Sequence, residues 1–328
     1  MAISRCKTAA LALGAILSAC ALTGCGSDSA KDASNVTVIQ SVPDSVTEVG
    51  VQAGEYLDTY SKCAPDLTLK RSVGTSVEKA VAAGSADIGI SSSSSVVAAI
   101  AGGLQAKIIG SSMDNWNQAL LMAPDSAAKK LEDLKPPMKF GITRFGSSGH
   151  YATLKLVEKL GWSKDDYEFV TVGELSALQA GIKSGLFNGF VWGPDTGDAL
   201  EAAGSAKMLD GLVDLIGPNV QTLYFASDEM LKERPEAVRA FMKCSYEAVK
   251  ELKADRATSL KFFVEDAKKE RSVSEGLFDR DMKYVSSDGE ISPGALEGVL
   301  DAVRSTVPNQ KSLTIDDLNE MYSYWGDL

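Results

Sequence analysis

The sequence predicts an α/β protein whose sheet is mostly parallel and covered by helices. Three observations carry that reading. Short apolar or β-branched runs alternate with segments of helical spacing over residues 36–226, the pattern of βαβ units. The alternation falls into two sets, one before and one after Asp114. From Asp228 onward the spacing is almost entirely helical.

The N-terminus precedes all of these. Arg5 and Lys7 stand without an acidic neighbour, and an apolar run follows from Thr8 to Leu22. That run falls short of the about 20 residues a mature membrane span needs. A basic start, a short apolar core and then small residues make an export signal. Leu22-Thr23-Gly24-Cys25 resembles the bacterial lipobox, in which the Cys thiol takes the lipid and becomes the first mature residue. Residues 1–24 are therefore expected to leave as a lipoprotein signal peptide. Residues 25–35 are small and polar, and form a flexible tether.

In the first set, Val36–Gln40 is a β-branched strand and Glu48–Ala64 has helical spacing. Leu67–Val73 alternates as a strand and Val77–Ala83 is helical. Ala86–Ile90 is a strand, Ser95–Gly102 a helix and Ala106–Gly110 a strand. In the second set, Ala119–Met122 is apolar and Asp125–Leu134 has helical spacing, ended by Pro136-Pro137. Lys139–Thr143 is a strand, His150–Leu160 a helix, Tyr167–Val172 a strand, Glu174–Ser184 a helix and Gly189–Trp192 a strand. Ala199–Gly204 begins another helix, and Leu212–Ile216 and Val220–Ala226 read as strands. The helical remainder comprises Pro235–Ala254, Leu260–Lys269, Glu275–Tyr284, Pro293–Ser305 and Ile315–Tyr322. Ser292-Pro293 suits an N-cap followed by proline at the first helical position. No long linker separates the two sets. The chain is placed to cross between them twice, near Ser111–Asn117 and near Asn219–Ser227.

Loss of the signal leaves 304 of the 328 residues and, with Arg5 and Lys7 gone, takes the formal charge from −11 to −13. An acidic body argues against nucleic acid as a partner. The single His150 and the absence of a Cys-x-x-Cys pair give no zinc site and no metal is expected; nothing calls for a cofactor either. Cys6 and Cys20 leave with the signal, and Cys25 carries lipid. Cys63 and Cys244 remain, either paired in an oxidising compartment or as two separate buried thiols.

Three segments place small hydroxyl or Gly residues between a strand and a helix: Ser72–Ser76, Ser91–Ser95 and Gly146-Ser-Ser-Gly149. Backbone N–H groups at helix N-termini carry partial positive charge. Ser and Thr add donors, and such loops gather at the carboxyl ends of strands, where ligands bind. The combination suits a small anionic or polar solute; plain N-capping accounts for any one loop taken alone. Trp116, Trp192 and Tyr224 are candidate aromatic walls or interior packing, and Arg144, just before the Gly-Ser-Ser-Gly loop, is placed either to meet an anion or on the surface. A catalytic set is missing: no Gly-x-Ser-x-Gly elbow surrounds His150, and the Gly-Ser-Ser-Gly loop lacks the Lys of a nucleotide P-loop.

At these residues the chain resembles the substrate-binding proteins of ABC transporters, in the branch of sulfonate, taurine, nitrate and thiamine-precursor binders. The likeness is carried by Gly84-Ser-Ala-Asp-Ile-Gly-Ile90, by Phe140-Gly-Ile-Thr-Arg-Phe-Gly-Ser-Ser-Gly-His-Tyr151 and by Leu178-Gln-Ala-Gly-Ile-Lys-Ser-Gly-Leu-Phe-Asn-Gly-Phe-Val-Trp-Gly-Pro194. It covers about residues 36–255; Asn188 stands where the family usually has Asp. The resemblance implies a two-lobed periplasmic-binding-protein type 2 fold, with a ligand cleft between lobes joined by two hinge crossings. Lobe 1 would hold 36–112 and 225–328, lobe 2 113–224, and by this mapping the ligand-binding residues would be Gly74, Thr75, Ser91, Ser92, Ser93, Ser147, Ser148, His150 and Trp192, with Asn115 and Trp116 near the hinge and Arg144 beside them. It implies a monomeric, non-enzymatic, lipid-anchored protein on the outer side of the cell membrane that passes a small-molecule solute to an ABC permease and its ATPase. Two alternatives stand beside it: a sensory or adaptor lipoprotein with the same cleft, and a thiamine- or menaquinone-precursor enzyme on this fold.

Overall fold

The computed structural model describes residues 34–328 apart from Pro43 and Thr75. The expected signal, the Cys25 anchor and all but the end of the tether lie outside the described residues, as does the candidate Thr75.

Among the described residues ten strands form two sheets. They are β1 (Asn35–Gln40), β2 (Thr68–Val73), β3 (Ile88–Ser92), β4 (Ala106–Met113), β5 (Ala119–Met122), β6 (Met138–Ile142), β7 (Tyr167–Thr171), β8 (Gly189–Trp192), β9 (Lys207–Leu209) and β10 (Thr222–Ser227). The strand orders are β2-β1-β3-β10-β4 and β7-β6-β8-β5-β9. In the first sheet β1 runs parallel to β2 and β3, while β10 is antiparallel to β3 and β4. In the second, β6 is parallel to β7 and β8, while β5 is antiparallel to β8 and β9. One strand per sheet is thus reversed, and in each case it is the strand by which the chain enters after crossing from the other sheet. Parallel neighbours need helical crossovers; a strand delivered from the opposite lobe does not, so it takes the antiparallel slot.

Both sheets are covered on both faces. Val77, Val96, Ile108, Phe225 and Val299 fill one side of the first sheet, and Val38, Ile88, Tyr224, Phe241 and Met242 the other. Phe140, Tyr151 and Leu156 lie on one side of the second, and Leu178, Phe187 and Phe190 on the other. Helix Pro235–Ala254 carries proline at its first position and buries Val238, Phe241, Met242, Ser245, Val249 and Leu252 along one stripe. Cys244 on this helix is disulfide-bonded to Cys63, with Cα atoms 5.7 Å apart. Asp87, from the first of the family-like motifs, is buried against Arg234 and accepts Thr37 N at 2.9 Å; its role is structural. Asn188 likewise works in the sheet, accepting Lys139 N at 2.7 Å through Oδ1.

Four local expectations differ from the fold. Leu212–Ile216, read as a strand, is a helix bracketed by Gly211 and Gly217, both at positive φ; a short apolar run has too few residues for its period to tell the two apart. Asp125–Leu134 holds only the 3-10 turn Leu131–Asp133, because a segment hemmed by Pro124 and Pro136 is too short to repay helix nucleation. The helical spacing of 48–64 is broken by Asp58 in the left-handed region, φ 56°, giving Val49–Tyr56 and Thr59–Cys63. The helix expected from Ala199 starts earlier, at Pro194.

Among the described residues no helix is long and apolar enough to cross a membrane, and no group of three or more His, Cys, Asp or Glu is placed to hold a metal ion.

Candidate functional site

A cavity of about 310 Å³ opens between the sheets, and its wall draws on both. On the side of the first sheet the wall is the turn after β1, including Val42, Asp44, Ser45 and Thr47. Ser45 caps the 3-10 turn Val46–Glu48, its hydroxyl accepting Thr47 N at 3.3 Å. The turn is anchored from beneath by Glu48, which is 2 % exposed. Its carboxyl accepts from Ser41 Oγ and from Val42 N, and its backbone carbonyl accepts Gln40 Nε2 at 2.9 Å. Burial pushes the Glu48 carboxyl up to about 8, against the opposing pull of those hydrogen bonds.

The floor is made by the two crossings. Asn117 and Gln118 precede β5, Gln221 precedes β10, and all three are buried. Asn117 N donates to Gln221 Oε1 at 2.9 Å, and Trp116 Nε1 donates to Val220 O at 2.8 Å. The two crossings are therefore hydrogen-bonded to each other.

The opposite wall comes from the second sheet. Ser148 opens helix Ser148–Lys159 and accepts from Gln118 Nε2 at 3.2 Å. Trp192 ends β8, and Gly193-Pro194-Asp195 starts helix Pro194–Ala202. Asp195 accepts Lys269 Nζ at 3.0 Å across the mouth. A second bridge lies alongside: Arg280 grips Asp198 through two bonds of 3.2 and 2.9 Å and also holds the fully buried Asp281 at 2.7 Å. Gly276 permits this approach, since a Cβ there would stand 2.8 Å from Asp198 Oδ2. On the other flank Ser94 Oγ donates to Gly146 O at 3.3 Å and Arg144 Nη2 to Ser95 Oγ at 2.9 Å.

Of the residues singled out by sequence, Ser148 and Trp192 line this cavity. Gly74 follows β2, its N–H donating to Gln40 O at 3.0 Å. Ser91 pairs with Leu223 in the sheet. Ser92 precedes helix Ser93–Ala101 and donates to Ser95 Oγ at 2.9 Å. Ser93 is fully buried, its N–H on Gln221 O at 3.0 Å. Asn115 caps Trp116 N at 2.9 Å, and Trp116 is buried edge-on against Tyr151. Ser147 caps its helix, accepting His150 N at 3.3 Å. His150 packs between Phe145 and Phe169 and accepts Gly146 N through Nδ1 at 3.1 Å; burial lowers its imidazole to about 4. It is neutral at pH 7 and structural in placement. Arg144 is exposed and spends its guanidinium on the serine loop.

The residues that the sequence reading passed over are the carboxamides Asn117, Gln118 and Gln221, the turn after β1 and the Asp195–Lys269 pair. Two signals pointed to them. Polar Asn117, Gln118 and Gln221 abut the apolar starts of strands at the two expected crossings, and the turn after β1 is itself a βα loop of the kind that gathers ligands.

The family model described as NMT1/THI5 like matches residues 65–258. No curated protein matches the chain in sequence. Solved structures share its fold. The periplasmic aliphatic sulphonate binding protein SsuA from Escherichia coli is 15 % identical over 88 % of this chain and 92 % of its own, with a TM-score of 0.71. The periplasmic nitrate-binding protein NrtA from Synechocystis PCC 6803 is 12 % identical over 88 % and 86 %, with a TM-score of 0.69. The desulfurization enzyme DSZB is 14 % identical over 88 % and 96 %, with a TM-score of 0.63. At such identities the likeness is one of fold: two α/β lobes of the periplasmic-binding-protein kind.

Proposed function

The chain belongs to the NMT1/THI5 like family, and on that premise we propose that it is an extracytoplasmic solute-binding lipoprotein that closes two lobes on a small polar solute and presents it to an ABC importer. The observation that supports this reading most directly is the cavity itself, whose walls come from both sheets and whose floor is the pair of hydrogen-bonded crossings. The moving bodies of the reading are 36–112 with 225–328, and 113–224. A solute held by both walls touches all its partners only in the closed form, so it shifts the population toward closure. That closed face is what a permease would recognise. Lipid on Cys25 would keep the protein at the membrane; replacing Cys25 with Ser should release it to the soluble fraction, and retention in the membrane fraction would remove the anchor from the reading.

The fold neighbour labelled a desulfurization enzyme favours a second reading, an enzyme on the same scaffold. The chemistry of the wall supports binding instead. Among the described residues lining the cavity there is neither His nor Cys, and the Ser148 hydroxyl meets the Gln118 carboxamide rather than a base.

The test is thermal unfolding of the purified chain, stripped of bound solute, against sulfonates, taurine, nitrate, bicarbonate, carboxylates, amides and amino acids. A ligand at about 100 times its Kd stabilises the folded state by about 2.7 kcal/mol. One saturable hit at one solute per chain is expected. A panel without any shift, or turnover of the solute that does bind, would overturn the proposal.

A further inference from the structure

The cavity wall carries a chemical preference that narrows the solute class, an inference that rests on the solute-binding reading above. We infer that the solute is a neutral molecule presenting an amide-type group, an N–H donor beside a C=O or S=O acceptor, rather than a free monoanion such as a sulfonate or nitrate.

Hydrogen-bonding capacity in the floor is the first ground. Gln118 is 6 % exposed and uses Nε2 on Ser148 Oγ, which leaves Oε1 buried without a partner. An unmet buried acceptor is costly, which favours a turn of the carboxamide that brings Oε1 to the cavity it lines and to a donor from the solute. Gln221 is in the opposite condition. Its Oε1 is taken by Asn117 N, so the carboxamide's N–H groups remain to donate into the cavity it lines. A monoanion of nitrate or sulfonate type brings acceptors only and leaves the Gln118 end unmet. An amide brings one of each.

Charge is the second ground. The described lining residues include two carboxylates, Asp44 and Asp195, and one ammonium, Lys269. Lys269 is already bonded to Asp195. Asp195 sits in the first turn of helix Pro194–Ala202, where Pro194 supplies no N–H; the positive end of that helix faces the protein's own carboxylate. The cationic groups that an anion reading invokes stand elsewhere: Arg144 on the serine loop, His150 uncharged between two phenyl rings. Size is the third ground. About 310 Å³ is at the low end of ligand pockets, so the group that pairs with the floor makes up much of the solute.

Isosteric pairs separate the possibilities: acetamide against acetate, benzamide against benzoate, benzenesulfonamide against benzenesulfonate. Each is titrated by calorimetry into the intact chain at neutral pH, with taurine and nitrate alongside. The neutral member is expected to bind at least about tenfold more tightly, the cost of one unmatched buried polar group. Gln118→Met should cancel that preference while the melting temperature of the solute-free chain stays near its original value. A preference for the ionised member, or for taurine or nitrate, would overturn this inference and leave the solute-binding reading intact. Binding by none of these compounds counts against both.

Discussion

Glu48 supports the wall of the cavity from beneath, and its protonation should be measurable as stability. Its carboxyl stands at about 8 in the folded chain against 4.5 for a free glutamate, because burial disfavours the charge more than the bonds from Ser41 and Val42 favour it. A pKa raised on folding means that the folded state holds the proton more tightly than the unfolded state. The contribution of Glu48 is then fully present below pH 4.5 and is lost as the pH rises through about 8. A difference of that size is worth about 4–5 kcal/mol at 1.36 kcal/mol per unit. Glu48→Gln keeps the shape and removes the titration. Urea unfolding of both proteins, in steps from about pH 4 to about pH 9, isolates the group as the difference between the two curves. The original chain should lose stability relative to the variant across that window, by up to the stated amount. Curves that stay parallel from pH 4.5 to 8 would refute the reasoning.

Two other perturbations test the frame around the site. The Cys63–Cys244 bond joins residues 181 apart in sequence, and chain entropy alone assigns such a loop about 5 kcal/mol; a phosphine reductant should lower the melting temperature by on the order of ten degrees, and an unchanged transition would show that the bond adds no stability. Asp198→Asn removes the bridge to Arg280 but leaves the buried Asp281 paired. Because Asp198 and Arg280 are each about a quarter exposed, at 23 % and 28 %, screening limits the pair to about 0.5–1 kcal/mol. Solute affinity should fall about two- to fivefold at low salt, with the gap closing at high salt. Identical salt responses in the two proteins would exclude the bridge from the closed state.

Much of the frame is local information. Pro235 at a helix start, Ser292-Pro293, the β-branched run of β1 and the Gly-rich turn before Ser148 act on neighbours a few residues away, so period and capping place them from sequence alone. The two crossings between sheets were legible as well, because the interruptions near Asn117 and Gln221 fall between the α/β sets. Leu212–Ile216 was not, since a five-residue segment with four apolar residues around Asp214 fits a strand or a helix equally well until the flanking glycines and the packing of Leu212 in the second lobe decide.

The site divides in the same way. By itself the sequence determined the fold class and the family: two α/β sets in succession, family-like motifs in order, and hydroxyl and glycine loops at strand ends. Which loops meet was decided only by tertiary structure. Asp44, Gln118, Asp195, Gln221 and Lys269 are distant along the chain, and no local period links them. They become one surface because the reversed strands β5 and β10 bring both crossings to the same floor, while the segment around Lys269 and Arg280 reaches over to helix Pro194–Ala202. The contacts of the candidate donors are likewise tertiary or capping facts: Ser92 bonds Ser95, Ser147 caps its helix and His150 packs between Phe145 and Phe169, while Ser148 lines the cavity.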